Sequence, residues 1–578
     1  MRAHALLFAA ALALAPICFA QTDTAPRSHI KPARGVQATI APPETIFYNG
    51  VIYTGEGLGQ DKPQTVQAMA VGHGKVLAVG SDAEIKRLAG PQTRMVNLNT
   101  GGKWSFVFPG FDDAHTHLGE AGRTKLNVDL TGTQSLANML ARVQGTAKAT
   151  AAGRWLTGGN WDQTLWTQKT LPTRQELDKV TAGHPAFLRR IDGHIALANT
   201  AALAAAGITG KTVAPQGGAI DLDASGEPTG ILRESAMELV GKLIPPASHA
   251  ERLRGDELAI ADALSQGVTS VQDFSDWEDF LVFEELEKQG KLNLRITEWL
   301  PFKAPIAELK KMRAHHDAND PMLHTGMLKG FMDGSLGSRT AALKAPYSDD
   351  PGNTGLPQYA QADLNKMAVE RSEAGFQLGF HAIGDKAVEM ALNADAQPGV
   401  SRKARNRIEH AQVVDPAEIR RFAKLDVIAS MQPCQLLTDM RWAEARLGPT
   451  RAAYSYAWKA FLDAGVHLAF GTDYPVEPIS PFRGLYAAVT RMNEAGTESY
   501  FPKNKITRGQ ALYAYTQGSA YAEFAEKRKG KLAPGYDADF IVVDRDLYTE
   551  PAPDLLHTKV LETYVAGRLV YVGNIHAF

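Results

Sequence analysis

The residues best equipped for chemistry begin in FPGFDDAHTHLGE, residues 108–120. His115 and His117 stand two apart, after an aspartate pair and an apolar run. On an extended strand, residues i and i+2 share one face. Imidazoles on a dry face need partners, so the pair raises the question of what it binds. Further polar residues punctuate later apolar runs: Lys329 in MLKGFMD, His381 in FQLGFHAIG, His410 in RNRIEHAQ and Asp473 in VHLAFGTDYP. Each has an ordinary reading when taken alone. A single buried histidine is usually a satisfied core residue, a lone lysine snorkels to the surface, and Gly471-Thr472-Asp473 also reads as a turn.

The elements that must position these residues follow from the patterning. Short β-rich runs separated by helical stretches, such as 362–375 and 415–425, imply parallel strands. With WSFVFPGF counted first, then GVTSVQDF, LNLRITEW, MLKGFMD, FQLGFHAIG, RNRIEHAQ, DVIASMQP and VHLAFGTDYP, there are eight strand–helix units. That number predicts an α/β fold, a closed (β/α)8 TIM barrel over residues 108–529. All the residues above then reach one mouth of the barrel, the end where barrel enzymes carry their chemistry. About 150 residues separate His117 from GVTSVQDF, too many for one helix, so residues 120–260 are expected to be an inserted lid and pocket segment.

Residues 44–107 and 530–578 read alike, as short strands with turn signals at Asn49-Gly50, Gly72-His73-Gly74 and Ala566-Gly567. They are expected to form one composite β-sandwich from both chain ends, with a hairpin at Asn49-Gly50. Two unrelated β caps are the alternative.

Four imidazoles, a carboxylate and a lysine at one mouth would be a costly buried cluster without a metal. Imidazole and carboxylate suit zinc and its first-row neighbours. The set exceeds what one tetrahedral ion with an open position needs, so two ions fit better. Lys329 would repel them as an ammonium. As a carbamate, formed from its neutral amine and carbon dioxide, it becomes an anion able to bridge them.

FPGFDDAHTHL, the strand-four lysine with DGSLGSRTA, HAIGDKAV, RIEHAQ and GTDYPV together resemble the amidohydrolase superfamily, in particular its YtcJ-like branch with the N-substituted formamide deformylases. The likeness extends from about Thr45 through GKLAPGYDADFIVVD. It implies a barrel with a composite β domain and a binuclear centre. In that family's pattern His115, His117 and Asp473 would hold one ion, His381 and His410 the other, and carbamylated Lys329 would bridge them. A metal-activated hydroxide would attack the carbonyl carbon, with Asp473 moving the proton.

Weaker candidates surround this set. His194, in RIDGH, is read either as a substrate-binding and catalytic residue reaching over from the insertion or as a structural histidine. Arg339 would either grip a substrate carboxylate or tie its loop to Asp333. Trp161, Asp162 and Gln163 are expected to shape the pocket. Asp385 and Glu409 adjoin ligands and would orient imidazoles.

The bulk properties bound the rest. The 578 residues carry 61 basic and 63 acidic side chains, which leaves no electrostatic footprint for nucleic acid or an anionic membrane. Residues 1–20, MRAHALLFAAALALAPICFA, have the basic start, apolar run and small residues of a bacterial signal peptide cut after Ala20, with an N-terminal anchor as the alternative. Residues 21–43 read as a flexible leader. The expectation is a periplasmic or secreted enzyme with only Cys434 left, hence without an intrachain disulfide. The expected reaction is hydrolysis of a carbon–nitrogen bond, other than a peptide bond, in an amide, formamide or N-acyl compound. An esterase, lactonase or phosphoesterase on the same scaffold is the first alternative, and a non-catalytic exported binding protein the second. Zinc is the first expectation for the metal, with manganese, iron or cobalt as alternatives. The partners would be a small-molecule substrate and at most a second copy of the chain, with no membrane contact after signal cleavage.

Overall fold

The structure is a computed structural model and describes residues 42–100, 103–190, 195–215 and 218–573. The expected signal peptide and nearly all of the leader lie outside the described residues, as does His194. Among the described residues no helix is long and apolar enough to cross a membrane.

Eight parallel strands form the central sheet. They are β1 (Phe111–Thr116), β2 (Val268–Asp273), β3 (Arg295–Pro301), β4 (Leu323–Phe331), β5 (Leu378–Ala382), β6 (Arg407–His410), β7 (Ile428–Met431) and β8 (Leu468–Phe470). Neighbours pair in chain order. The circle closes just past β8, where Thr116 bridges Tyr474 in parallel. There the Asp473 N–H donates to His115 O at 2.8 Å and the His117 N–H donates to Tyr474 O at 2.7 Å. The strands are buried almost throughout, which accounts for their near-continuous apolar runs. Helices such as Gln361–Glu373 and Pro416–Leu425, the latter capped by Asp415, pack outside.

One six-stranded and one four-stranded sheet make the smaller β layer pair. The six-stranded sheet takes Val51–Tyr53, Thr65–Val66 and Phe106–Pro109 from one end of the chain and Phe540–Val543, Val560–Val565 and Arg568–Val572 from the other. Phe47 of the four-stranded sheet packs edge-on against Phe540 and Tyr564 at 5.0 and 5.2 Å, so the two sheets share one core. Arg295 of β3 ties this unit to the barrel through a two-pronged, buried pair with Asp539, at 2.6 and 2.9 Å.

Two expectations are corrected here. The stretch WSFVFPGF does not open the barrel: Phe106–Pro109 lies between Val51–Tyr53 and Phe540–Val543 in the six-stranded sheet, and the barrel begins at Phe111. Both segments are apolar because both are buried, so hydrophobicity alone does not separate them. Asn49-Gly50 is not a hairpin turn either. Thr45–Tyr48 and Val51–Tyr53 belong to different sheets, and the pair forms the corner between them. Asn49 takes a positive φ of 59° while its N–H donates to Asp82 Oδ1, and Gly50 lies against Leu98 with no room for a Cβ. The turns at His73-Gly74 and Ala566-Gly567 do join antiparallel partners.

The insertion has its own six-stranded mixed sheet, running from Val128–Asp129 to Pro228–Glu234, with two small apolar cores of its own.

Gly110 is the hinge between sandwich and barrel. Its N–H donates to Asp539 O at 3.0 Å. A Cβ there would meet Thr269 Oγ1 at 2.2 Å and Cβ at 2.8 Å, inside contact distance. Gly110→Ala is therefore expected to displace the start of β1 and cost about 1–3 kcal/mol, the usual range for overpacking. Thermal melting against the wild type measures this, and an unchanged Tm would contradict the close approach.

Candidate metal centre

The centre lies at the C-terminal mouth of the barrel, built by strand ends. β1 ends in His115-Thr116, with His117 next. Lys329 lies two residues before the end of β4, His381 is the last residue but one of β5, His410 closes β6, and Asp473 follows β8. The alternation of strand side chains aims them at the axis.

His115 occupies the middle. Its Nε2 lies 2.7 Å from Lys329 Nζ and 3.5 Å from Asp473 Oδ1. Its Nδ1 lies 2.8 Å from Glu409 Oε2. His117 Nε2 lies 3.2 Å from the same Asp473 oxygen, while its Nδ1 meets Phe274 O at 2.9 Å. His410 Nδ1 lies 4.0 Å from Asp473 Oδ2 and is buried with no hydrogen bond. The His410 ring sits 5.0 Å from that of His115 and 4.5 Å from that of His381. One donor atom each from His115, His410 and Asp473 falls within 4.8 Å of the others. The five sequence-selected donors and Lys329 are thus one cluster, with His381 at its edge through His410. His381 Nε2 currently meets Gly334 O at 3.1 Å.

The backbone is strained at these positions. His410, Ala411 and Asp473 have φ of 70°, 40° and 62°, and none is glycine. Such conformations cost on the order of 1–3 kcal/mol each and persist where surroundings enforce them. For Asp473 the enforcing contact is the hydrogen bond to His115 O that closes the barrel.

Electrostatics favour metal ligation. Burial pushes the His115 imidazole down to about 4, helped by Lys329, against the pull of Asp473 and Glu409. Burial pushes His410 down to about 3 and, with His410 and Lys329 beside it, His381 well below the ordinary value. Neutral imidazoles keep a lone pair free for a cation. His117 is opposed by burial but raised overall by its bond to Asp473. Burial would raise the Asp473 carboxyl, yet the three histidines hold it below the usual carboxylate range. Burial lowers the Lys329 ammonium to about 8, partly countered by Glu409 and Asp473. An amine that close to neutrality is nucleophilic for a fraction of the time.

The wall behind the centre was only partly legible in the chain. Glu409 grips His115, and Arg407 holds Glu409 at 2.7 Å; burial alone would raise this carboxyl, but Arg407 and His115 keep it ionised. Arg407 also donates to Ala114 O and Ser430 Oγ at 2.7 Å and contacts Gln272. Gln435 donates to Asp473 Oδ2 at 2.9 Å. Arg407 stands two residues before Glu409 on a buried strand and so shares its face, which was the available signal. Gln435 follows β7 on a short helix, and no spacing rule pointed to it.

Beside the centre lies a cavity of about 530 Å³, lined by His117, Phe274, Trp277, Trp299, Phe331 and Met312 among others. Phe331 is 37% exposed, unusual for the end of a barrel strand. Phe274, Trp299 and Phe331 were not singled out in the sequence, although Phe274 follows β2, Phe331 ends β4 and Trp299 lies two residues before the end of β3.

The weaker candidates fare differently. Trp161 is fully buried in the insertion, its indole N–H donating to Leu188 O at 3.0 Å, so its ring is core and not pocket wall. Asp162 is paired with Arg190 at 3.0 Å, and Gln163 accepts from the same guanidinium at 2.8 Å. Arg339 grips Asp349 at 3.1 and 2.9 Å and does not reach Asp333. Asp333 instead accepts from the N–H groups of Ala342, Ile383 and Gly384 at 2.8–3.0 Å, pinning the loops around His381. Asp385 accepts from the Lys344 N–H at 2.8 Å and orients no imidazole.

Comparison with known proteins agrees with this geometry. The sequence pattern of the amidohydrolase family matches residues 105–571. A Bacillus subtilis protein named as an amidohydrolase, YtcJ, is 32% identical over 547 residues, covering 91% of this chain and 99% of its own. The N-substituted formamide deformylase of Arthrobacter pascens is 29% identical over 530 residues, covering 87% and 95%. The crystal structure of a metal-dependent hydrolase from Pyrococcus horikoshii OT3 superposes with a TM-score of 0.71 at 30% identity, covering 88% of this chain and 99% of that one. On the match over most of its length, this chain belongs to the amidohydrolase family and is a metal-dependent hydrolase.

Proposed function

We propose that the protein is an exported amidohydrolase that cleaves a carbon–nitrogen bond in an amide, formamide or N-acyl compound at a binuclear centre. The observation that carries the proposal is the surplus of donors at one buried point. His115 Nε2 and Lys329 Nζ face each other at 2.7 Å while His410 Nδ1 is buried without a partner, an arrangement that two cations would satisfy. His115, His117 and Asp473 would hold one ion, His381 and His410 the other, with Lys329 between them as its carbamate. Two divalent ions so held would supply an activated water and polarise the scissile carbonyl.

The chain's own residues do the remainder. Lys329, deprotonated at its buried Nζ, adds to carbon dioxide and releases one proton, turning a repelling cation into a bidentate anion. Glu409, ionised by Arg407, fixes His115 with its Nδ1 proton inward and its Nε2 lone pair toward the centre. Asp473 takes the proton of the attacking water and delivers it to the leaving nitrogen. The aromatic walls at Phe274, Trp299 and Phe331 exclude water and seat an apolar substituent. Similarity to an N-substituted formamide deformylase supports an amide over an ester. The apolar, small-residue-flanked start of the sequence supports export.

Elemental analysis of the purified mature protein, followed by hydrolysis assays on N-acyl and formamide panels, tests this reading. The expected result is about two divalent ions per chain and amide turnover. Fast ester turnover with no detectable amide turnover would reverse the choice of bond. Lys329→Ala is expected to lose one or both ions and all measurable turnover, with partial recovery on adding a short carboxylic acid. Full activity without that addition would remove Lys329 from the bridge. Asp473→Asn is expected to keep much of the metal but lose rate by at least ~10²-fold, the lower range for acid–base catalysis. A steady-state assay reads this, and a mild loss would move the proton transfer to another group.

A further inference from the structure

At the base of the barrel, far from the mouth, a second group of ligand-type side chains converges. The helix Trp277–Lys288 starts at the mouth beside Ser275 and ends at the base, and residues 314–322 lead from the base into β4. Glu287, on the last turn of that helix, and His316 and Asp320, on the approach to β4, bring three donor atoms within 4.8 Å of one another. His316 Nε2 lies 3.3 Å from Glu287 Oε2 and 3.8 Å from Asp320 Oδ2.

The orientation of His316 is what distinguishes this group from an ordinary acidic patch. Its Nδ1 faces Glu284 Oε1 at 3.1 Å, and its Nε2 faces the two other carboxylates. The Nε2 atom is buried and makes no hydrogen bond, although both oxygens are close. An imidazolium would aim its N–H along the line to one of them. Two oxygens standing off that line, at these spacings, are the arrangement of ligands around a common third point. Tetrahedral zinc with bonds of about 2.0–2.1 Å places its ligand atoms roughly 3.3 Å apart. A carboxylate behind the imidazole, as Glu284 stands behind His316, is the usual support for a metal-bound histidine. Two neighbouring oxygens are engaged elsewhere: Asp320 Oδ1 accepts from the Met322 and Leu323 N–H groups at 2.7 and 3.3 Å, and Glu284 Oε2 pairs with Lys288 at 2.8 Å.

We propose that Glu287, His316 and Asp320 form a peripheral site for one zinc-class divalent cation, with solvent as the fourth ligand, which staples the second barrel helix to the entry of β4. One imidazole with two carboxylates favours a first-row transition ion over calcium or magnesium. The site touches no residue of the mouth and stands independently of the reaction proposed above.

The test uses the full chain, stripped with a chelator and re-equilibrated with Zn²⁺, in three forms: wild type, His316→Ala and Glu287→Gln. Zinc is counted per chain after desalting, and Tm is followed with and without zinc. Each variant is expected to bind about one zinc fewer than the wild type and to lose part of the zinc-dependent rise in Tm, while turnover stays at the wild-type level. Glu287→Gln keeps the helix and the side-chain size, so it answers if His316→Ala does not fold. Equal zinc counts in wild type and folded Glu287→Gln would overturn the site and leave His316 as an imidazolium among carboxylates. A rise in wild-type Tm with Ca²⁺, equal to that with Zn²⁺ and absent in Glu287→Gln, would overturn the choice of cation. Anomalous scattering at the zinc edge gives the direct reading: a peak between the three donor atoms is expected, and peaks confined to the mouth would refute it.

Discussion

Desolvation of nitrogen donors governs this molecule. At the mouth of the barrel His115, His410 and Lys329 are taken out of water beside the half-buried His381, and His410 Nδ1 is left with no hydrogen-bond partner. Burial lowers the affinity of each for a proton, so the cluster is poised for another cation. Everything nearby serves to hold that unfavourable arrangement. Strand pairing closes the circle through Asp473 and His115, Arg407 keeps a carboxylate behind His115, and Asp333 clamps three amides around the loop after His381. The positive φ angles at His410 and Asp473 show where the backbone bears the cost.

Much of this was legible in the chain because strand geometry has period two. An HxH pair, a lysine within an apolar run and single polar residues closing later runs translate directly into one face of one sheet. The order of strands β2 to β8 follows for the same reason. The first strand did not, since residues 106–111 are apolar across two successive environments and only the close approach of Gly110 to Thr269 divides them. The corner at Asn49-Gly50 looked like a hairpin because Asn49 takes the left-handed backbone that a two-residue turn also uses, although Gly50 here does not.

Contacts between residues distant in sequence were the least legible. Trp161 looks like a pocket residue in GGNWDQTLW, but whether it is wall or core depends on which element covers it, and Leu188 does. Arg339 had a carboxylate partner close by in sequence at Asp333, yet Asp333 is consumed by backbone amides and the guanidinium turns to Asp349. Competition among acceptors decides such pairings, and the competitors come from different loops. The aromatic lining of the mouth has the same origin: Phe274, Trp299 and Phe331 sit on three strands and form one surface only once the barrel closes.

The six-stranded sheet has a consequence for how the chain reaches its native state. Phe106–Pro109, which leads straight into the strand bearing His115, pairs on one side with Val51–Tyr53 and on the other with Phe540–Val543. A partner more than 400 residues downstream must be made and brought back before that strand is flanked on both edges. Loop closure over such a span is entropically slow, and it comes late in synthesis. Until then the barrel's opening strand hangs from a sheet with a bare edge, the kind of surface that recruits a wrong neighbour. Assembly of the reactive mouth therefore waits on the part of the molecule farthest from it in sequence.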